Sequence, residues 1–236
     1  MMRFEKIRAR AGGRKEGDAV LQSLLGPVPD NAALVGLTDD RVLSLMAERI
    51  FSAGFVWKVI REKWPDFEEA FLGFEPMRLL FQPEDYGHDD KRIVRNPQKI
   101  KAVRDNAAFV TRVSAEHGGF GKFLADWPKD DQIGLTGFLG KNGTRLGGNT
   151  GQYFLRRAGW DAFILSSDVV LALRDAGLDI ADAPTSRKDL MAIQEQMNRW
   201  ATETGLPYVH LSRILAMSIG ENRSLEALKS RLDGEE

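Results

Sequence analysis

The run RVLSLMAERIFSAGFVWKVIREKWPDF, which follows Asp39-Asp40, constrains this chain more than any other stretch. Apolar side chains recur through Val42, Leu45, Met46, Ile50 and Phe51, the spacing that gathers them on one helical face, so a core helix is predicted here. Gly54 bends or breaks it, a second helix takes up VWKVIREKW, and Pro65, with no N–H to donate, stops that one. Further helices are predicted at FEEAFLGF, PMRLLFQP, PQKIKAVRDNAAFVTRVSAEH, FGKFLADW, NTGQYFLRRAG, SDVVLALRDAG, SRKDLMAIQEQMNRWATETG and VHLSRILAMSIG. No stretch alternates with a strand's period between hairpin turns, so the fold class is all-α, with about ten helices. Gly118-Gly119 and the segment 137–151, GFLGKNGTRLGGNTG, are the predicted non-helical joints.

At 236 residues and 43% hydrophobic content the chain can bury a large core, as one domain or two closely packed lobes. It has no cysteine, and His88, His117 and His210 lack metal-ligand spacing, so neither a metal nor any other cofactor is expected. The opening MMRFEKIRAR lacks a signal's apolar stretch, and no apolar segment approaches the roughly 20 residues that span a bilayer. A cytoplasmic protein with no membrane partner is expected. A net charge of −1 argues against coating nucleic acid by bulk charge. The basic residues nevertheless cluster, in 3–15, in 91–112, and in 134–157, where Lys141, Arg145, Arg156 and Arg157 meet no acid. Each cluster alone reads first as a solvated helix face, so the clusters carry weight only in combination.

The segment LGGNTGQYFLRRAGWDAFILSSDVV, from Leu146 to Val170, raises a chemical question. A glycine-rich turn between helices can aim several backbone N–H groups at one anion, as helix N-termini do. Gly147, Gly148, Asn149, Thr150 and Gly151, with Lys141 and Arg145 nearby, suit a DNA phosphate, although packed helices also need glycine simply to turn. Asp168 follows an apolar run at the start of a helix. Ser-Ser-Asp there is a good N-cap, and it is also a carboxylate in a partly dry setting; the two roles are compatible.

The order glycine hairpin, helix, Gly-Trp, apolar run, Asp-Val-Val resembles the helix-hairpin-helix superfamily of DNA glycosylases, and Gly148 lies 20 residues before Asp168. The resemblance implies a two-lobed fold with a cleft between the lobes, a hairpin that holds DNA phosphate, and a catalytic Asp168 facing the scissile sugar. Members that also cut the backbone carry lysine where this chain has Thr150, which implies a glycosylase without lyase activity. Ala53-Gly54-Phe55-Val56-Trp57, KVIREKWPDFEEAFLGFEP and RIVRNPQKIKAVRDNA are similar to the 3-methyladenine DNA glycosylase I family in particular. That family's zinc site is impossible here, its glutamate position holds Arg49, and Glu48 stands one residue away, about 100° around the helix.

What the resemblance implies is a monofunctional glycosylase of base-excision repair. It would flip an alkylated purine, 3-methyladenine first among them, out of double-stranded DNA into a pocket lined by Trp57, with Glu48, Phe51 and Trp160 as further candidates. A cationic base would gain about 0.5–2 kcal/mol over the Trp57 indole, and Asp168 would stabilise the oxocarbenium-like sugar. Trp57 beside a helix bend is equally well a core ring. Damaged duplex DNA is the implied partner, and no obligate protein partner is inferred. The glycosylase core is expected over 38–180 with its hairpin at 137–151, after a basic extension at 1–37 and before closing helices at 181–236. Two other readings stay open: a non-catalytic DNA-binding protein on the same scaffold, and a helical module whose basic face meets an acidic partner.

Overall fold

The computed structural model describes the backbone of residues 1–235 and the side chains of residues 1–230. Among the described residues all regular structure is helical. The elements are α1 (Phe4–Arg14), α2 (Asp18–Ser23), α3 (Asn31–Val35), α4 (Asp39–Ser52), α5 (Trp57–Glu62), α6 (Trp64–Ala70), a 3-10 turn (Leu72–Phe74), α7 (Pro76–Leu80) and α8 (Pro97–His117). Then come α9 (Phe120–Asp126), α10 (Gln132–Asn142), α11 (Asn149–Ala158), α12 (Ser167–Asp175), α13 (Arg187–Thr204), α14 (Tyr208–Ser218) and α15 (Leu225–Glu235). The all-α expectation holds, with more helices than the ten expected. Among the described residues no helix is long and apolar enough to cross a membrane.

The chain forms two compact units. The first comprises Met1–Pro29, Pro128–Ile133 and Asp161–Glu236; the second comprises Asp30–Trp127 and Gly134–Trp160. In the first unit α1 and α12 pack on α14. Phe4, Ile7 and Ala11, spaced to share one face of α1, are buried there, and Phe4 lies 5.4 Å from the Trp200 ring. The basic stretch at the start of the chain is therefore core-forming over α1, where an extension was expected. Two of its cations form ion pairs within the unit: Arg8 pairs with Asp18 at 2.8 Å and Arg10 with Asp175 at 2.6 Å. His210 Nε2 meets the Gly26 carbonyl at 3.1 Å and Arg213 donates to Leu25, so both bind the strand of chain that follows α2.

In the second unit α4 packs on α8 and α11, α7 on α8, and α3 on α9. Its core is aromatic. Phe51 meets Phe67 edge-on at 4.7 Å, and Trp64 stacks on Phe67 at 5.0 Å and on Phe74 at 5.4 Å. Phe51, Phe67 and Phe74 are fully buried, and each contributes about 1.5–3 kcal/mol by transfer from water. Glu68 ties the layer together, accepting from Arg41 at 2.8 and 2.9 Å and from Ser44 at 2.7 Å. Pro65 lies in the first turn of α6, where its missing N–H costs nothing, and α5 has already ended at Glu62.

Candidate nucleic-acid interface and carboxylate

The glycine segment is a tighter device than the sequence shows. Residues 137–142 belong to α10 and 149–151 to α11, so the non-helical turn is 143–148, shorter than the expected 137–151. Gly137 and Gly140 are poor helix formers, which hid α10 from its sequence. Gly140 lets two backbones approach: a Cβ there would stand 3.2 Å from the Gly147 Cα. Gly151 is stricter, because its Cβ would lie 2.4 Å from the Leu146 carbonyl oxygen. Leu146 is fully buried and anchors the turn, while Gly147, Gly148 and Asn149 are exposed and Thr150 is half-buried. Gly148, at φ 56° and ψ −138°, precedes α11 and brings no side chain over its first N–H groups.

The turn is held from α8. Asn106, fully buried, donates through Nδ2 to the Thr144 carbonyl at 3.0 Å and accepts from the Thr144 N–H at 2.8 Å through Oδ1. The Thr144 hydroxyl reaches Asp105 at 3.3 Å, and Arg145, exposed and at φ 62°, donates to Gln98. Lys141 is exposed on the last turn of α10. Asn106, in the segment RDNA, is the residue that shapes the hairpin.

The candidate base-contacting residues divide. Phe51 is fully buried in the ring ladder, and Trp160, only 1% exposed, follows the α11 C-cap Gly159. Both are core side chains in the free protein. Glu48 is buried between Arg49 Nη2 and Arg157 Nε, each at 3.5 Å, so a base using this carboxylate must displace a guanidinium. Trp57 stands apart from the ladder. It is half-buried at the first position of α5, beside Phe55 at 46% and Val56 at 66% exposure.

Asp168, in the first unit, lies in the first turn of α12, which Ser166 caps by accepting from the Val169 N–H at 3.3 Å. Its carboxylate is not alone. Arg223 Nη1 donates to Oδ2 at 2.8 Å, and a Cβ on Gly220 would fall 2.5 Å from Oδ1. Arg14 holds the Gly220 carbonyl at 2.7 Å, and Lys15 holds that of Arg223 at 2.7 Å, so the end of α1 braces the loop that delivers Arg223. Hydrogen bonding to Asp168 raises the Arg223 pKa above the ordinary guanidinium value.

Residues 35–135 match the methyladenine glycosylase family. The match spans α4 to α9 and includes Trp57, Lys99 and Asn106, which bears out the resemblance read from those motifs. The 3-methyladenine DNA glycosylase I of Staphylococcus aureus, solved for 3-methyladenine recognition, is 25% identical with a TM-score of 0.46 over 52% of this chain and 78% of that one. A 3-methyladenine DNA glycosylase I variant in complex with 3-methyladenine is 24% identical, with a TM-score of 0.45, over 57% of this chain and 80% of its own. The 8-oxoguanine glycosylase/lyase of Methanocaldococcus jannaschii, solved with DNA containing 8-oxoguanine, covers 89% of this chain and 95% of its own at a TM-score of 0.51 and 13% identity. No curated protein matches the chain in sequence. The methyladenine glycosylase match and the helical fold are both those of DNA glycosylases.

Proposed function

We infer that this protein is a monofunctional DNA glycosylase that releases an alkylated purine, 3-methyladenine first among the candidates, from duplex DNA. The observation that carries the reading is the hairpin. In the unit that holds most of the methyladenine glycosylase match, a clamped turn leaves exposed glycines before α11, in the arrangement that suits a phosphate. Trp57 is the ring best placed to stack on a flipped base, since it is neither exposed nor sealed in the core. Asp168 would act on the oxocarbenium-like sugar from an orientation fixed by Arg223. Thr150, where lyase members carry lysine, supports hydrolysis without strand cleavage.

Incubation with a methylated duplex tests this: free 3-methyladenine should appear with time and enzyme. A second reading, a DNA-binding protein without catalysis, is favoured by the engaged state of both carboxylates, Glu48 between two arginines and Asp168 on Arg223. It predicts duplex binding with a steep salt dependence and no base released at any lesion.

A further inference from the structure

Lys99 is a buried cation with an unusual set of partners. It sits in the first turn of α8, after the cap Asn96, with 6% of its surface exposed. Its Nζ donates to the Phe51 carbonyl at 3.1 Å and the Ala53 carbonyl at 2.6 Å, at the C-terminal end of α4, and stands 4.7 Å from the centre of the Phe55 ring. Among the described residues no carboxylate pairs with it. Burial, and then the charge of Arg145, push its pKa below the ordinary lysine value.

A methionine of similar length would fill this site without desolvating a charge, but it would leave the Phe51 and Ala53 carbonyls without these donors. What the ammonium does is geometric. The last carbonyls of a helix carry its negative end, and a cation there holds them in one direction. Ala53 leaves the helix extended at ψ 115°, and Gly54 turns at φ 77°. Phe55 keeps its ring near the cation, and Trp57 opens α5. Within the turn the Phe55 N–H reaches the Ser52 carbonyl at 3.0 Å; Lys99 adds two ties from another helix. The neighbouring Gln98 accepts from Arg145 of the hairpin, so the first turn of α8 touches both the loop that carries Trp57 and the glycine turn.

We propose that Lys99 is a positioning residue for the Ala53–Trp57 loop, fixing it on the end of α4 and thereby setting where Trp57 stands relative to the glycine hairpin. The functional part rests on the reading of Trp57 as the base-stacking ring. The test uses the full chain labelled with 5-fluorotryptophan, whose five resonances include Trp57, assigned with Trp57→Phe. In Lys99→Met the Trp57 resonance should shift or split while those of Trp64, Trp127, Trp160 and Trp200 stay. Lys99→Arg, which can donate to both carbonyls, should restore most of the native position. Release of base in a single turnover should fall about 10- to 100-fold in Lys99→Met, as expected for a misplaced binding group. An unmoved Trp57 resonance, or a shift spread over all five, overturns the proposal. Should Lys99→Met fail to fold, Lys99→Gln, which is uncharged and shorter but keeps an N–H donor group, is read by the same outcomes. A selective Trp57 shift in a protein that releases no base leaves the positioning role intact and removes the glycosylase reading.

Discussion

Replacing Asn106 by leucine asks whether the hairpin keeps its shape unaided or is held by α8. Leucine has the same branched shape in a somewhat larger side chain, so no cavity opens, but the Thr144 N–H and carbonyl both lose the partners they now have at 2.8 and 3.0 Å. An orphaned buried polar group costs about 1–3 kcal/mol. Thr144 is half-buried and water can reach part of the turn, so the low end applies to each group, about 2 kcal/mol in all. For a chain of this size that lowers the thermal midpoint by about 4–8 °C. Calorimetry with separate analysis of the two units reads it, and the loss should fall on the unit that contains the hairpin. Asn106→Asp should recover nothing at neutral pH, because it sets a carboxylate oxygen against the Thr144 carbonyl. A midpoint lowered by less than about 1 °C in Asn106→Leu would show that the turn holds itself, and the clamp argument would fail.

Gly151→Ala must force the turn open, since its Cβ would lie 2.4 Å from the Leu146 oxygen, whereas Gly147→Ala meets nothing within 4 Å. The first should lose both stability and duplex affinity in melting and anisotropy measurements; the second should keep its melting point and still weaken binding about 3- to 10-fold, by covering an amide aimed at phosphate. Asp168→Asn should bind lesion duplex as the wild type does and lower single-turnover release about 100-fold or more; equal release by both proteins would leave Asp168 only its structural tie to Arg223. Burial pushes Glu68 up, but hydrogen bonds from Arg41 and Ser44, the Arg41 charge and the Trp64 indole outweigh it and hold the carboxyl below the ordinary glutamate value. Its stabilising effect is therefore complete above the unfolded value and lost as pH falls through the lower folded one. In urea melts the gap between wild type and Arg41→Met should be wide at neutral pH and close in acid; a gap that widens in acid would contradict the assignment.

The long helices were legible because pattern and caps agree. Asn96-Pro97 opens α8, and Ser186, whose hydroxyl accepts from the Asp189 N–H at 3.1 Å, opens α13. Five helices escaped, α1, α2, α3, α10 and α15, two of them for opposite reasons. In α1 the charges masked a real signal, Phe4, Ile7 and Ala11 on one face, while α10 carries glycines that weaken its propensity and permit the Gly140 to Gly147 approach. The site was legible where it is local, as in the glycine turn and the serine cap before Asp168. It was illegible where distant residues meet. Arg223 comes to Asp168 from 55 positions away, Asn106 reaches Thr144 from 38, and Arg157 crosses from α11 to Glu48, and no local spacing announces any of them.

The proposed activity breaks an N-glycosidic bond and leaves the DNA backbone whole. An end-labelled duplex carrying a methylated purine, incubated with the protein and run on a denaturing gel with and without alkali, tests it directly. An intact strand before alkali and cleavage at the lesion after it are expected. A strand that stays whole in alkali would contradict the glycosylase, and one already cut without alkali would contradict the absence of lyase chemistry.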